Sequence, residues 1–172
     1  MSRGLFIGRF QPFHKGHLEA LKWILGREDE VIVAVGSAQF SHSLKNPFTA
    51  GERIEMIWLV VKELNLEGRV IITCVPDTNS MHNLWVPLLK AWLPRFDRAY
   101  TNDPLSRRLL VEGGVEVHSI PFFNMETYSA THVRELMTKG EKWEHLVPSV
   151  VAEYIKKIGG DKRLREIYST RQ

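Results

Sequence analysis

The sequence of 172 residues has a single cysteine and no long run of apolar residues. Cys74 cannot form a disulfide within the chain, and the apolar residues around it predict a β-strand with a buried thiol, which favours a reducing compartment. No apolar stretch approaches the roughly 20 residues that a membrane-spanning helix needs. Residues 1–10 lack the pattern of a signal peptide. We therefore expect a soluble, cytoplasmic protein without a membrane partner.

The sequence also has little excess of one charge over the other, since the net charge is only +3. From residue 156 onward six basic side chains stand against two acidic ones, so this segment carries +4 and the residues before it sum to −1. A domain that binds a nucleic-acid backbone usually has a broad basic face. We therefore do not expect nucleic acid as a partner, and we predict one domain over residues 1–158 followed by a solvated basic tail over residues 159–172.

Apolar runs of strand length alternate with segments of helical period through the chain. Strands are predicted over residues 5–8, 31–35, 69–75, 98–101 and 115–120. Helices are predicted over residues 16–25, 84–93, 104–111, 129–137 and 150–158, with a further one beginning at Thr49. This alternation predicts an α/β fold, a doubly wound, Rossmann-like parallel sheet of about five strands with helices on both faces. Ligands bind such sheets at the carboxyl ends of the strands.

Two of the helices have an apolar row that the spacing defines. Thr49 and Glu52 form a T-x-x-E capping box at the start of the first of them. Its predicted inward side consists of Ile54, Ile57, Trp58, Val61 and Leu64. The inward side of the helix over residues 84–93 is predicted as Leu84, Leu88, Ala91 and Trp92, with Pro87 in the first turn. We expect both rows to pack against the sheet.

The loop after the first strand combines glycines, cations and imidazoles within residues 8–17. Gly16 lets the backbone approach a ligand closely. His14 and His17 share one helical face beside N–H groups that attract anions. Two histidines three apart also suit a metal ion, but no cysteine lies nearby in the sequence as a further ligand, and the flanking Arg9 and Lys15 favour phosphate. We predict a phosphate site here.

A second candidate phosphate site follows the last predicted strand. Ser129 suits an N-cap position, so the amides after it and the Thr131 hydroxyl would meet an anion at the helix start. Arg134, one turn into the helix, adds a forked donor with a permanent charge. A serine that only caps and an arginine that is only solvated would give the same pattern. Together with the first loop, the phosphate interpretation is favoured, and we expect both motifs to meet at one triphosphate.

The segment Gly8–His17 resembles the first signature of the nucleotidyltransferase superfamily, whose core is the tetrapeptide His-x-Gly-His. Within that superfamily the chain is most similar to the archaeal nicotinamide-nucleotide adenylyltransferases. The similarity extends over residues 36–39, 46–53, 84–86 and 128–134. It implies that the domain transfers AMP from ATP to nicotinamide mononucleotide (NMN), giving NAD and pyrophosphate. It also implies a homo-oligomer, and a divalent cation, usually Mg²⁺, that ATP carries rather than the protein.

The resemblance further implies a role for each site residue. His14 and His17 would stabilise charge at the α-phosphorus, Arg134 would hold the terminal phosphates and Arg9 would bridge phosphates near the reacting centre. The remaining ATP contacts would come from Gly8, Phe10, Gly16, Ser129 and Thr131. The NMN contacts would come from Ser37, Lys45, Asn83 and Trp85. The Trp85 ring would stack on nicotinamide, although packing in a core is the commoner role of tryptophan.

Three positions depart from the family pattern. Ala130 replaces a serine of many relatives, Lys45 stands where relatives can carry arginine, and His82 stands where an amide side chain is expected.

The phosphate loops alone also fit transfer to another phosphorylated acceptor, such as phosphopantetheine or FMN. A non-catalytic module that binds nucleotide or RNA is a further alternative. A phosphate nucleophile is already ionised at neutral pH, so the predicted reaction needs no general base.

Overall fold

The structure is a computed structural model that describes residues 1–121 and 128–170. The strands are β1 (Arg3–Gly8), β2 (Glu30–Val35), β3 (Val70–Cys74), β4 (Arg98–Tyr100) and β5 (Val117–His118). The helices are α1 (Lys15–Leu25), α2 (Ala50–Glu63), α3 (Trp85–Trp92), α4 (Pro104–Glu112), α5 (Ala130–Lys139), α6 (Ser149–Ile158) and α7 (Gly160–Thr170). None of the helices in these described ranges has the length and apolar character to cross a lipid bilayer.

The five strands form one parallel sheet in the order β3-β2-β1-β4-β5. This confirms the predicted α/β class. The chain winds outward from β1 to β3 and then returns to place β4 on the other side of β1, so the order reverses between β1 and β4. In open sheets of this kind the crevice at such a reversal is where ligands bind.

Helices cover both faces of the sheet, because successive side chains of each strand point to opposite sides. Phe6 of β1 packs with Val33 in the core beneath α1, α2, α5, α6 and α7. Leu5, the preceding residue, packs with Ile32 and with residues of α3 and α4 on the other face. The alternation within β1 therefore builds two separate cores.

The start of α2 is as the capping box predicts. The Thr49 hydroxyl accepts a hydrogen bond from the Glu52 N–H at 3.0 Å, and a Glu52 carboxylate oxygen accepts from the Thr49 N–H at 2.9 Å. The predicted inward position of Trp58 is wrong, since 38% of its surface is exposed. Trp58 follows the buried Ile57 by one residue and so lies about 100° around the helix axis. Its ring lies beneath Lys62 instead, with 5.9 Å from the ammonium nitrogen to the ring centroid.

The predicted inward row of α3 is also wrong. Val86 and Leu89 are buried, whereas Leu84, Ala91 and Trp92 are exposed and 54% of the Trp92 surface is accessible. Rows beginning at residue 84 and at residue 86 both have apolar residues at helical spacing, so the sequence does not decide which one faces the sheet. Pro87 lies in the first turn, as predicted.

The basic segment after residue 159 forms α7, which packs against α5 instead of extending into solvent. Leu164 is fully buried in the core beneath α2 and α5. The Arg163 guanidinium donates to both carboxylate oxygens of Glu52, at 2.7 and 2.8 Å, and to the carbonyl of Pro47. The described part of the segment is therefore built onto the domain; residues 171–172 lie outside the described residues.

Candidate active site

His14 and His17 cap the start of α1 reciprocally. The His17 N–H donates to His14 Nδ1 at 3.3 Å, and the His14 N–H donates to His17 Nδ1 at 3.0 Å. The two rings are stacked with their centroids 3.6 Å apart. Because each Nδ1 accepts a hydrogen bond, each neutral ring carries its proton on Nε2. Each imidazole therefore keeps an Nε2–H donor for a ligand.

Both imidazoles are held in the neutral form. Burial lowers the pKa of His14 to about 4, with a contribution from the positive charge of Arg134. Burial also lowers the pKa of His17 well below its usual range, and His14 adds to this effect. The Phe10 and Phe13 rings lie 4.8 and 5.4 Å from the His17 ring, centroid to centroid. At neutral pH the pair can therefore donate hydrogen bonds to an anion without carrying charge.

The first loop and the segment around Ser129 approach each other at Gly16. A Cβ atom at residue 16 would lie 2.9 Å from Cε1 of His14 and 3.1 Å from Cβ of Tyr128. Any side chain there would force the two segments apart. Gly16 therefore permits the contact between two parts of the chain that are more than a hundred residues apart in sequence.

Arg134 joins the same two segments by a hydrogen bond. Its Nη1 donates to the main-chain carbonyl of Gln11 at 2.8 Å, and its Nη2 lies 3.4 Å from the Thr131 hydroxyl. Burial lowers the pKa of Arg134 to about 10, so the guanidinium remains charged at neutral pH. Ser129 caps α5 by accepting from the His132 N–H at 3.0 Å. The two sequence motifs therefore lie at one place in the fold.

A cleft of about 470 Å³ opens at the carboxyl ends of β1 and β4, where the strand order reverses. Its lining includes Gly8, Phe10, His14, Gly16, His17 and Ser129. Asn102 and Asp103, which follow β4, line the opposite side. Thr131 is exposed and Arg134 is buried, and both lie beside this lining rather than in it. Imidazole donors, a helix start and a buried cation together suit a polyphosphate.

A second cleft of about 230 Å³ lies on the other side of the β1 end. Ser37, Asp77, His82 and Trp85 line it. Gly8 and Arg9 line both clefts. Two ligands bound side by side would therefore meet at Arg9, whose guanidinium is exposed and donates to the Asn46 side chain at 3.4 Å.

Lys45 and Asn83 are both exposed, and neither lines either cleft. Their assignment to a ligand stays a prediction. His82, which departs from the family pattern, lies in the smaller cleft in place of its neighbour Asn83. Asn83 and His82 are neighbours in the short turn before α3, and nothing in the sequence indicates which of the two side chains faces the cleft.

Sequence analysis missed two buried polar residues beside the clefts. Gln11 is almost fully buried, and its side-chain amide forms two hydrogen bonds with the main chain of Phe48. Nε2 donates to the Phe48 carbonyl at 3.0 Å, and Oε1 accepts from the Phe48 N–H at 2.9 Å. Arg53 is fully buried beneath the ends of β1 and β2. A signal for Arg53 does exist, because it precedes Ile57 and Val60 at helical spacing and so falls in the buried row of α2.

In the part of the chain that the structure describes, a bound metal ion would need several ligating side chains that lie close together. No group of three or more histidine, cysteine, aspartate or glutamate side chains comes together there. Imidazole, guanidinium and hydroxyl groups at the clefts suit phosphate oxygens, and one carboxylate lines each cleft, Asp103 in the larger and Asp77 in the smaller.

Comparison with known proteins identifies a family and similar full-length chains. The model of the cytidylyltransferase-like family matches residues 5–136. A nicotinamide-nucleotide adenylyltransferase of Saccharolobus solfataricus is 46% identical over 171 residues, which cover 99% of this chain and 99% of the relative. A protein of the same name from Pyrococcus horikoshii is 47% identical over 167 residues, 97% of this chain and 89% of the relative.

Among solved structures, a bifunctional NMN adenylyltransferase/ADP ribose pyrophosphatase from Francisella tularensis has the same fold. Its crystal structure, with AMP and a manganese ion, aligns with a TM-score of 0.79 and 20% sequence identity. The alignment covers 98% of this chain, which spans only 52% of that solved chain. The likeness supports the doubly wound architecture over nearly the whole chain.

Proposed function

Because the chain belongs to the cytidylyltransferase-like family, we propose that it transfers AMP from ATP to NMN and so forms NAD and pyrophosphate. Similarity over nearly the full length to two nicotinamide-nucleotide adenylyltransferases supports this activity. The structural observation that carries it is the hydrogen bond from Arg134 to the carbonyl of Gln11. It holds the two phosphate motifs at one cleft, as a triphosphate donor requires.

The two clefts supply one position for each substrate. The larger cleft takes ATP, with its phosphates toward His14, His17 and Arg134. The smaller cleft takes NMN, with Trp85 and Ser37 in its lining. Arg9 lies at the junction of the clefts, where the α-phosphorus of ATP would meet the phosphate of NMN.

The reaction is a direct displacement at phosphorus. An oxygen of the NMN 5′-phosphate attacks the α-phosphorus, the bond from that phosphorus to the bridging oxygen of the β-phosphate breaks, and pyrophosphate leaves with the electron pair. The attacking phosphate is already ionised, so positioning and charge stabilisation supply the catalysis. The Nε2–H groups of His14 and His17 donate to oxygens that gain charge, and Arg134 neutralises the leaving phosphates.

Mg²⁺ is proposed as the divalent cation, entering as part of the ATP substrate. Imidazole and guanidinium groups beside the larger cleft support a site for the phosphates that carry the ion. When bound with ATP, the ion would reduce the negative charge on the phosphates. Arg134, Arg9 and the two imidazoles would share the remaining charge.

The assignment of the acceptor side rests on Trp85. A cationic pyridinium ring that stacks on indole gains roughly 0.5–2 kcal/mol by analogy with other cation–π contacts. Ser37 faces the same cleft, whereas roles for Lys45 and Asn83 toward NMN stay predictions. Gly8, Phe10, Gly16, Ser129 and Thr131 are proposed to complete the ATP site.

We also propose a cytoplasmic homo-oligomer. Cys74 is a free, partly buried thiol, which suits a reducing compartment. Trp92 and Val111 leave more than half of their surfaces exposed on α3 and α4, and these apolar surfaces are available to a second copy. Light scattering coupled to size-exclusion chromatography measures the mass in solution, and a monomer at all concentrations would contradict the oligomer.

The activity is tested by offering purified protein ATP and Mg²⁺ with one acceptor at a time: NMN, nicotinic acid mononucleotide, phosphopantetheine or FMN. We expect NAD and pyrophosphate in equal amounts with NMN. Rapid use of another acceptor with no NAD formed would reject the proposal. An RNA titration whose affinity falls steeply with salt and depends on residues 156–171, without turnover of any acceptor, would favour a binding module instead.

A further inference from the structure

Arg53, in the first turn of α2, is fully buried behind the carboxyl ends of β1 and β2. Its Nη1 donates to the carbonyls of Arg9 and Gly36, each at 2.8 Å. Nη2 donates to the Ser37 carbonyl at 3.2 Å and Nε donates to the Thr49 carbonyl at 3.1 Å. Among the residues that the structure describes, no carboxylate forms an ion pair with it.

A buried cation without a counter-ion is costly, because carbonyl dipoles replace only part of its hydration. Burial lowers the pKa of Arg53 to about 10, which leaves the guanidinium charged at neutral pH. An apolar residue at this position of the α2 row would pack without that cost. The charge and the hydrogen-bond geometry of this side chain therefore indicate a role other than packing.

The carbonyls that Arg53 holds precede two residues with positive φ. Phe10, after Arg9, has φ 52°, and Ser37, after Gly36, has φ 48°. A residue other than glycine is strained in this region, so the surrounding contacts must stabilise it. Hydrogen bonds from Nη1 to the preceding carbonyls fix the orientation of both peptides. The same atom of one side chain thus controls the turn that ends β1 and the turn that ends β2.

The peptide groups before Phe10 and Ser37 are trans, so each N–H points opposite to the carbonyl that Arg53 binds. Phe10 lines the larger cleft and Ser37 lines the smaller one. Neither N–H donates to a backbone carbonyl within residues 1–121 and 128–170. Two N–H groups on either side of the β1 end are thus left on the side away from Arg53.

We propose that Arg53 is a positioning residue that turns the N–H groups of Phe10 and Ser37 toward the phosphates of the two substrates. The Phe10 N–H would meet ATP and the Ser37 N–H would meet NMN. The inference rests on the proposed function, because it assigns one nucleotide to each cleft. The charge of Arg53, behind both peptides, adds an attraction for anions in a site of low dielectric constant. Arg53 itself touches neither substrate.

The first test compares three variants with the wild-type protein in NAD formation. Arg53→Met keeps the length of the side chain but removes its donors and charge, and we expect kcat/KM for NMN to fall roughly 100-fold. Arg53→Lys keeps the charge and fewer donors, so we expect it to recover part of this loss. Arg69→Met is the matched control, because Arg69 donates to the carbonyls of Leu25, Glu28 and Asp29 at the other end of the sheet.

A merely structural Arg53 and a positioning Arg53 give different results. All rates are measured at a temperature where circular dichroism shows each variant to be folded. The Arg69 variant should lose stability but keep kcat/KM. The inference is overturned when folded Arg53→Met keeps kcat/KM within about threefold of the wild type. Absence of NAD formation by the wild-type protein instead rejects the proposed function, before any variant is compared.

Amide NMR on the wild-type protein tests the inference without a variant. In ¹⁵N-labelled protein, NMN should shift the Ser37 amide resonance, and a non-hydrolysable ATP analogue should shift that of Phe10. Nicotinamide riboside, which lacks the phosphate, should leave the Ser37 resonance unshifted. A Ser37 amide that does not respond to NMN, or that responds equally to the riboside, overturns the inference even if Arg53→Met does not fold.

Discussion

The imidazole of His17 is buried among phenyl rings and stacks on His14. Both the burial and the neighbouring imidazole disfavour a positive charge on it. A neutral imidazole with its proton on Nε2 donates a hydrogen bond and carries no charge of its own. Such a donor gains strength as the oxygen that it contacts becomes more negative. The geometry thus favours a transition state over a ground state, in which the phosphate oxygens are less charged.

His17→Ala should lower kcat by roughly 100-fold or more, while KM for NMN stays near the wild-type value, because the lost donor acts on developing charge. Steady-state rates of NAD formation at saturating ATP measure both constants. His145→Ala, at an exposed histidine that lines neither cleft, is the control and should keep wild-type rates. An unchanged kcat in the His17 variant would contradict the assigned role.

Trp85→Ala should raise KM for NMN by up to about 30-fold, which corresponds to the loss of a cation–π contact of about 2 kcal/mol. KM for ATP should stay near the wild-type value, because Trp85 lines only the smaller cleft. Trp58→Ala is the control, since Trp58 is exposed on α2 and lies in neither cleft. Equal losses for both substrates would indicate a folding defect and not a stacking role.

Residues whose chemistry is local were predicted from the sequence, and residues whose partners are distant were not. His14, His17 and Ser129 act at helix starts, and neighbouring residues identify such positions. Arg53 and Gln11 satisfy main-chain groups of the Phe48 loop and of the strand ends. Those partners become neighbours only after the sheet has formed, so no local pattern identifies these contacts, although helical spacing does place Arg53 in the buried row of α2.

At the scale of the helix, the capping pair of α1 makes stability depend on pH. The folded state lowers the pKa of His14 to about 4, whereas a histidine in an unfolded chain titrates near 6.5. Between these values the unfolded chain binds the proton more readily. The free energy of unfolding is therefore fully retained above about pH 6.5 and decreases by about 3 kcal/mol as the pH falls through about 4.

His14→Asn should weaken this dependence. The asparagine oxygen accepts the His17 N–H as a helix cap but has no group that titrates in this range. Urea unfolding at several pH values between 4 and 7.5 measures the free energy for both proteins. Carboxylates titrate alike in the two, so the difference between the two curves reports the titration of His14 together with its effect on the stacked His17. Parallel curves would show that the His14 imidazole does not titrate as assigned.

Helix starts were the most predictable feature at this scale, and helix faces the least. The capping box of Thr49 and the N-cap of Ser129 involve residues three apart, so sequence spacing decides them. The inward faces of α2 and α3 involve competing apolar rows, and the exposed Trp58 and Trp92 show that size and hydrophobicity do not select between them. Packing against the sheet makes that selection.

At the scale of the molecule, α7 closes the domain over α2 and α5. A Cβ atom at Gly160 would lie 2.6 Å from the Phe48 ring, so the start of α7 is in tight contact with the loop before α2. The Arg163 guanidinium keeps the pKa of Glu52 below its usual range through a hydrogen bond and its charge. The charge pattern predicted a solvated tail here because basic residues outnumber the three apolar ones, Leu164, Ile167 and Tyr168.

Leu164→Ala should therefore lower the free energy of unfolding by about 2–5 kcal/mol, as other leucines lost from a core do. Tyr168→Ala, at an exposed position of the same helix, is the matched control and should change it by less than about 0.5 kcal/mol. Chemical denaturation of both variants gives the comparison. Equal and small effects would indicate that the segment is solvated and not packed.

The bond between Arg134 and Gln11 joins residues 123 positions apart, so the phosphate site exists only when α5 has docked on the first loop. During synthesis, a ribosome must have released the chain well beyond residue 134 before both halves of this site can meet. A truncated or half-folded chain would therefore lack the means to retain ATP. With the proposed site, nucleotide capture would in this way be restricted to molecules whose folding is complete.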